Sequence, residues 1–92
     1  MKTLAKDPDA VLDYTIDWTP FLTSVDDTIA TSEFITDGDT SLTLSNEALD
    51  GNLHTVFIAG GAANTRHLVT SRITTVGGRT QDQSFVLVIA ER

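Results

Sequence analysis

His54 and His67 are the only histidines in the chain, and each lies in a run of strand-forming residues. Two imidazoles on neighbouring strands would supply half of a zinc site. The chain has no cysteine and no third ligand at a useful spacing, so both histidines are read as partly exposed strand residues. Asp37-Gly38-Asp39, with Asp26 and Asp27 upstream, offers carboxylates to calcium. The alternation and closing Glu of a helical calcium loop are missing, and Asp-Gly is turn chemistry in its own right. Serine and threonine are plentiful, yet there is no G-x-S-x-G elbow and no serine beside a base and an orienting acid. Gly60-Gly61 and Gly77-Gly78 lack the spacing of phosphate-binding loops and read as turns. The expectation is a protein that is not an enzyme, with no catalytic residue, metal or cofactor.

Trp18 is the sole tryptophan, with Tyr14, Pro20 and Phe21 around it. Such a group either stacks on a sugar or a protein partner, or fills a core. A single tryptophan in a small β domain belongs in the core, so Trp18 and Tyr14 are assigned there with Phe85 and Leu87. Pro20 and Phe21, beyond the end of the strand that holds Trp18, are the partner-interface candidates. Lys6 and Pro8 join them from the N-terminal end.

The elements that must position these residues are strands. No window holds a sustained 3.6-residue apolar period, and Thr, Val and Ile are abundant. Residues 11–18 alternate, with Leu12, Tyr14, Ile16 and Trp18 on one face and Asp13, Thr15 and Asp17 on the other. Pro20 ends that strand, since it cannot donate to a ladder. A second strand is expected over 28–35, with Ile29 and Ile35 on one face and Ala30 and Phe34 on the other. A short one follows at 42–44, then a loop over 46–52, and further strands at 54–59, 68–75 and 85–90. The last is apolar on both faces, so it must be covered on both sides or enclosed by loops and a partner, and it is a candidate docking edge. Six or seven short strands joined by Gly and Asp turns describe an all-β, antiparallel sandwich over residues 10–92. Residues 1–9, poor in apolar side chains, are expected to form a flexible N-terminal arm.

Ninety-two residues allow one domain with a modest core. No apolar run reaches a membrane span and the start has no signal core, so a soluble protein with no membrane partner is expected. The net charge of −7 argues against a nucleic-acid partner. That charge is uneven: residues 1–50 hold eleven acids against Lys2 and Lys6, a balance of −9, whereas residues 51–92 hold two acids against four arginines, a balance of +2. Such asymmetry can orient a subunit between neighbours of opposite sign, beside its ordinary value for solubility.

Lys6-Asp7-Pro8 with Tyr14 and Trp18 forms one recognisable set of residues. Val69-Thr70, Thr74-Thr75, the Gly77-Gly78 pair with Arg79, Asp82 and Glu91-Arg92 form another. Together they resemble a group of small structural proteins of tailed bacteriophages and prophages, labelled fibre-tail adaptor or head-tail region proteins. The resemblance covers nearly the whole chain, least well over residues 36–52, and departs from the group's Gly and aromatic at Asn64 and His67. It implies a small immunoglobulin-like sandwich without catalytic residues. It further implies an adaptor in the virion, made in the host bacterial cytoplasm and present in multiple copies on a symmetric assembly. Its partners would be other virion proteins: portal, connector, tail, fibre or capsid. A capsid decoration protein is the close alternative, and a carbohydrate-binding sandwich module presenting Tyr14, Trp18 or Phe21 is the alternative of another class.

Overall fold

The structure is a computed structural model that describes residues 2–37 and 41–91. Its elements are β1 (Lys2–Lys6), β2 (Leu12–Asp17), α1 (Thr19–Val25), β3 (Ile29–Thr36), β4 (Leu42–Asp50), β5 (Leu53–Gly60), β6 (Thr65–Thr75) and β7 (Thr80–Ile89). They form a four-stranded sheet, β1-β7-β6-β3, packed on a three-stranded sheet, β2-β5-β4. Lettered A to G in chain order, the strands lie as A-G-F-C and B-E-D. This is the immunoglobulin-like arrangement with its first strand on the sheet of the last.

Alternation decides which residues meet between the sheets. Along β7, Phe85, Leu87 and Ile89 are buried while Val86 and Val88 are half-exposed on the outer side. Leu42, Val56, Ile58 and Val69 complete the main core with these three residues. Tyr14 stacks on Phe85 with ring centroids 5.4 Å apart. A second cluster at one end joins Trp18, Leu22 and Ile73, with Ile16, Phe21 and Ile29 packed against it. No helix is long and apolar enough to cross a membrane among the described residues.

Five features depart from the sequence-based expectations. The first is the N-terminal arm: Lys2–Lys6 forms β1, parallel to β7 from Lys2↔Phe85 to Lys6↔Ile89. Leu4 packs on the main core, which a short apolar-poor segment did not advertise. The sandwich is therefore not wholly antiparallel. The second is β7 itself, which from Phe85 to Ile89 lies between β1 and β6 and so has no free edge there to dock a neighbour. The third is α1, whose seven residues are too few to show a helical period. Pro20 stands in its first turn and Asp26, at φ 53°, closes it in the left-handed conformation.

The fourth is β4, which runs to Asp50 where a loop from residue 46 is expected. Asn46, at φ 51°, lies in a bulge between Ser45 and Ala48 that absorbs one extra residue and lets pairing resume. The fifth is the phase of β3. A register shift between Ile29 and Thr31 breaks the alternation. Ile29 therefore packs on the Trp18 cluster, while Ile35 pairs with Thr70 on the outer face.

Candidate functional site

Strand alternation brings two chemically reactive side chains into line inside the sandwich, and the β4 bulge sets a third, the partly exposed Glu47, at its rim. On β5, His54 shares a face with buried Val56 and Ile58; on β6, Ser71 shares a face with buried Val69 and Ile73. Ser71 Oγ lies 2.7 Å from His54 Nδ1, and His54 Nε2 lies 3.1 Å from Glu47 Oε2 at the β4 bulge. The Trp18 indole N–H donates to Ser71 Oγ at 3.0 Å. The Glu47 carboxylate can only accept, so in neutral His54 the hydrogen sits on Nε2 and Nδ1 accepts the serine hydroxyl hydrogen. Three strands and the N-cap residue of α1 are thereby tied through one chain of hydrogen bonds.

Serine, histidine and glutamate in this order are the parts of a nucleophile, its base and an orienting acid. No such set is apparent in the sequence, and both histidines are expected to be partly exposed strand residues. Both are in fact buried, and the signal was available in the alternation of His54 with Val56 and Ile58, and of His67 with Val69. The set has no access to a substrate. Ser71 is 0 % exposed, its oxygen already accepts the indole hydrogen, and the Phe34 ring stacks on His54 at 4.0 Å. These groups stiffen a core. His67, also buried, has Nε2 3.0 Å from Thr65 Oγ1.

Lys6 serves the fold rather than an exposed contact surface. It is 1 % exposed, and its Nζ donates to the carbonyls of Asp7 at 2.8 Å and Gly60 at 2.7 Å. Burial pushes its pKa below that of a free lysine, with Asp7 and Asp9 acting in the opposite sense. Pro8 is half-buried in the turn that follows. Pro20 is exposed, and Phe21 is half-buried with its ring edge-on to Trp18 at 5.9 Å.

Asp27 is the centre of a second polar cluster, at the β6–β7 hairpin. Its Oδ1 accepts the Thr28 N–H at 2.8 Å and the Gly77 N–H at 3.1 Å, and its Oδ2 accepts Arg79 Nη1 at 2.8 Å. The Thr75 hydroxyl, ahead of these backbone and arginine contacts, holds the carboxyl down at about 2. A Cβ on Gly77 would lie 2.6 Å from Asp27 Oδ2, so a larger residue there would have to displace that carboxylate. Asp27 is thus engaged in turn chemistry. Asp37 Oδ1 accepts the Leu68 N–H at 3.0 Å, whereas Asp39 lies outside the described residues. No group of three or more potential ligands is placed to hold a metal ion among the described residues.

The surface offers two further features, both on β2. Between β1 and β2 the sandwich opens into a groove of about 450 Å³ walled by Leu4, Tyr14, Ile16 and Phe85, with Lys2 and Asp17 also lining it. Tyr14 Oη is buried without a hydrogen-bond partner among the described residues. Burial, with Asp13 nearby, raises its pKa. On the outer face of the three-stranded sheet, register places Asp17, Leu53 and Asp50 in one row and Asp13, Phe57 and Ser45 in another. The strands of that sheet carry Asp13, Asp17, Glu47 and Asp50 and no lysine or arginine. The other sheet's outer face is balanced, with Arg72 bonded to Asp82 at 2.8 Å and Arg66 and Glu33 nearby in register.

Comparison with curated proteins gives no match. Residues 6–88, from the buried lysine of β1 to the penultimate residues of β7, match the family described as podophage GP4 fiber-tail adaptor protein gp77. The match spans nearly all of the sandwich, and the chain belongs to that family.

Proposed function

We propose that this chain is a non-enzymatic structural component of a podophage virion, an adaptor that joins a tail fibre to the tail. The observation that carries this reading is the family match over residues 6–88. The geometry is consistent with it, because the Ser71 nucleophile and the His54 base of the Ser71–His54–Glu47 set are buried in the core. Trp18 is buried and Tyr14 lies against Phe85, which favours protein docking over sugar stacking on these aromatics. The adaptor is made in the host cytoplasm and sits in several copies around the tail.

A phage carrying a stop codon early in this chain's coding sequence tests the proposal. The expected particles have filled heads and tails but no fibres, and they fail to adsorb. Particles that keep their fibres would contradict it. Loss of hundreds of surface copies from the head, with fibres retained, would instead identify a capsid decoration protein.

A further inference from the structure

Three observations converge on β2. Among the described residues this strand pairs with β5 alone, so its other edge presents main-chain N–H and C=O groups without a neighbouring strand. Its inward side chains are incompletely covered: Leu12 is 41 % exposed, and the groove of about 450 Å³ lies beside Tyr14 and Ile16. At that groove a buried tyrosine hydroxyl lacks a partner among the described residues. An unmet hydroxyl away from water is unfavourable, and because its oxygen has almost no accessible surface, a ligand group would relieve it only by shifting the groove wall.

The outward side chains of the same strand state the chemistry of the missing partner. Asp13 and Asp17 are exposed, and no lysine or arginine occurs on β2, β5 or β4 to neutralise them. An extended chain added beside β2 would alternate its side chains in the same phase. Its inward residues would enter the groove against Leu4, Tyr14, Ile16 and Phe85, and its outward residues would stand next to Asp13 and Asp17. We infer that the free edge of β2 receives an extended segment of another virion protein in which apolar and basic residues alternate. This inference rests on the adaptor reading and names the edge and the partner chemistry it would use. In the absence of the partner, Asp13 and Asp17 also discourage edge-to-edge pairing between copies, since like charges would oppose one another.

A titration of the ¹⁵N-labelled full chain with a capped peptide of alternating lysine and valine, followed by ¹H–¹⁵N correlation spectra up to millimolar peptide, tests it. Shifts confined to β2, Leu4 and Phe85 are expected. Affinity should fall on the order of tenfold in Asp13→Lys and again with added salt. Tyr14→Phe, which keeps the ring and removes only the hydroxyl, should weaken binding severalfold. Dispersed spectra of both variants confirm that they fold. Absence of shifts on β2, shifts centred on β4 or on the outer face of the four-stranded sheet, or equal binding of a peptide alternating glutamate and valine would each overturn the inference. The stop-codon phage reads the adaptor role separately, because fibres missing from those particles would stand whatever the peptide does.

Discussion

The Trp18–Ser71–His54–Glu47 chain and the Asp27 cluster use similar polar groups to opposite ends. The first is dry at its centre: Ser71 and His54 have no access to water, so each must find its partner inside the protein, and only Glu47 at its end is exposed. The second lies at a hairpin, where Arg79 is about half exposed and Asp27 is tied to Thr28, Gly77 and Arg79. Breaking the first leaves groups that nothing else can satisfy, while in the second water reaches the Arg79 guanidinium although Asp27 itself is only 7 % exposed. The buried chain should therefore govern whether the sandwich holds. The hairpin cluster should govern how it responds to acid.

Ser71→Ala is the sharpest way to break the buried half of this comparison. It strands the Trp18 indole N–H and His54 Nδ1 together, and about 2–4 kcal/mol of unfolding free energy should be lost in a denaturant titration. That is a large share of the roughly 5–15 kcal/mol available to a small domain. Gly77→Ala comes next, at about 1–2 kcal/mol, because the new methyl displaces the Asp27 carboxylate from its hairpin contacts. Its effect should not add to that of Asp27→Asn, and a double-mutant cycle checks this.

A smaller effect is expected from pH. Asp27 titrates near 2 in the folded chain and at about 3.8 when exposed, so the unfolded state takes up its proton first as pH falls. Its stabilisation should be complete above about pH 4 and fade as pH drops toward 2. Thermal unfolding across that window should show the loss, and Asp27→Asn should remove this part of the pH dependence. The least effect belongs to Arg72→Ala. Its ion pair with Asp82 lies on the surface, with both side chains more than two-fifths exposed, and the thermal midpoint should not measurably change.

Alternation made β2, β6 and β7 legible before any coordinates, because period-two patterning depends only on which face a residue takes. The same rule applied to β5 would have placed His54 in the core. A histidine's polarity points it to the surface unless a buried partner such as Ser71 satisfies it, and that partner is set only by the tertiary fold. What sequence alone could not supply were the departures from regularity. The bulges near Ala30 and Asn46 each shift a strand by one residue, and nothing in local composition marks them apart from Asn46's tolerance of positive φ. β1 was hidden for another reason: its stability comes from parallel pairing with β7 at the far end of the chain and from the capture of Lys6 by the Gly60 carbonyl. The groove and the open edge of β2 are likewise products of how the two sheets sit together. The negative balance of residues 1–50 is visible in the sequence, but that four of its acids share a three-stranded sheet with no lysine or arginine on its strands required the topology.

Single-particle cryo-electron microscopy of the intact phage tests the central claim most directly. The account predicts a seven-stranded sandwich at the junction of tail and fibre, in contact with both, with an added strand from a neighbour beside β2. Density that places the chain elsewhere in the particle, or particles with complete fibre junctions that lack it, would contradict the account.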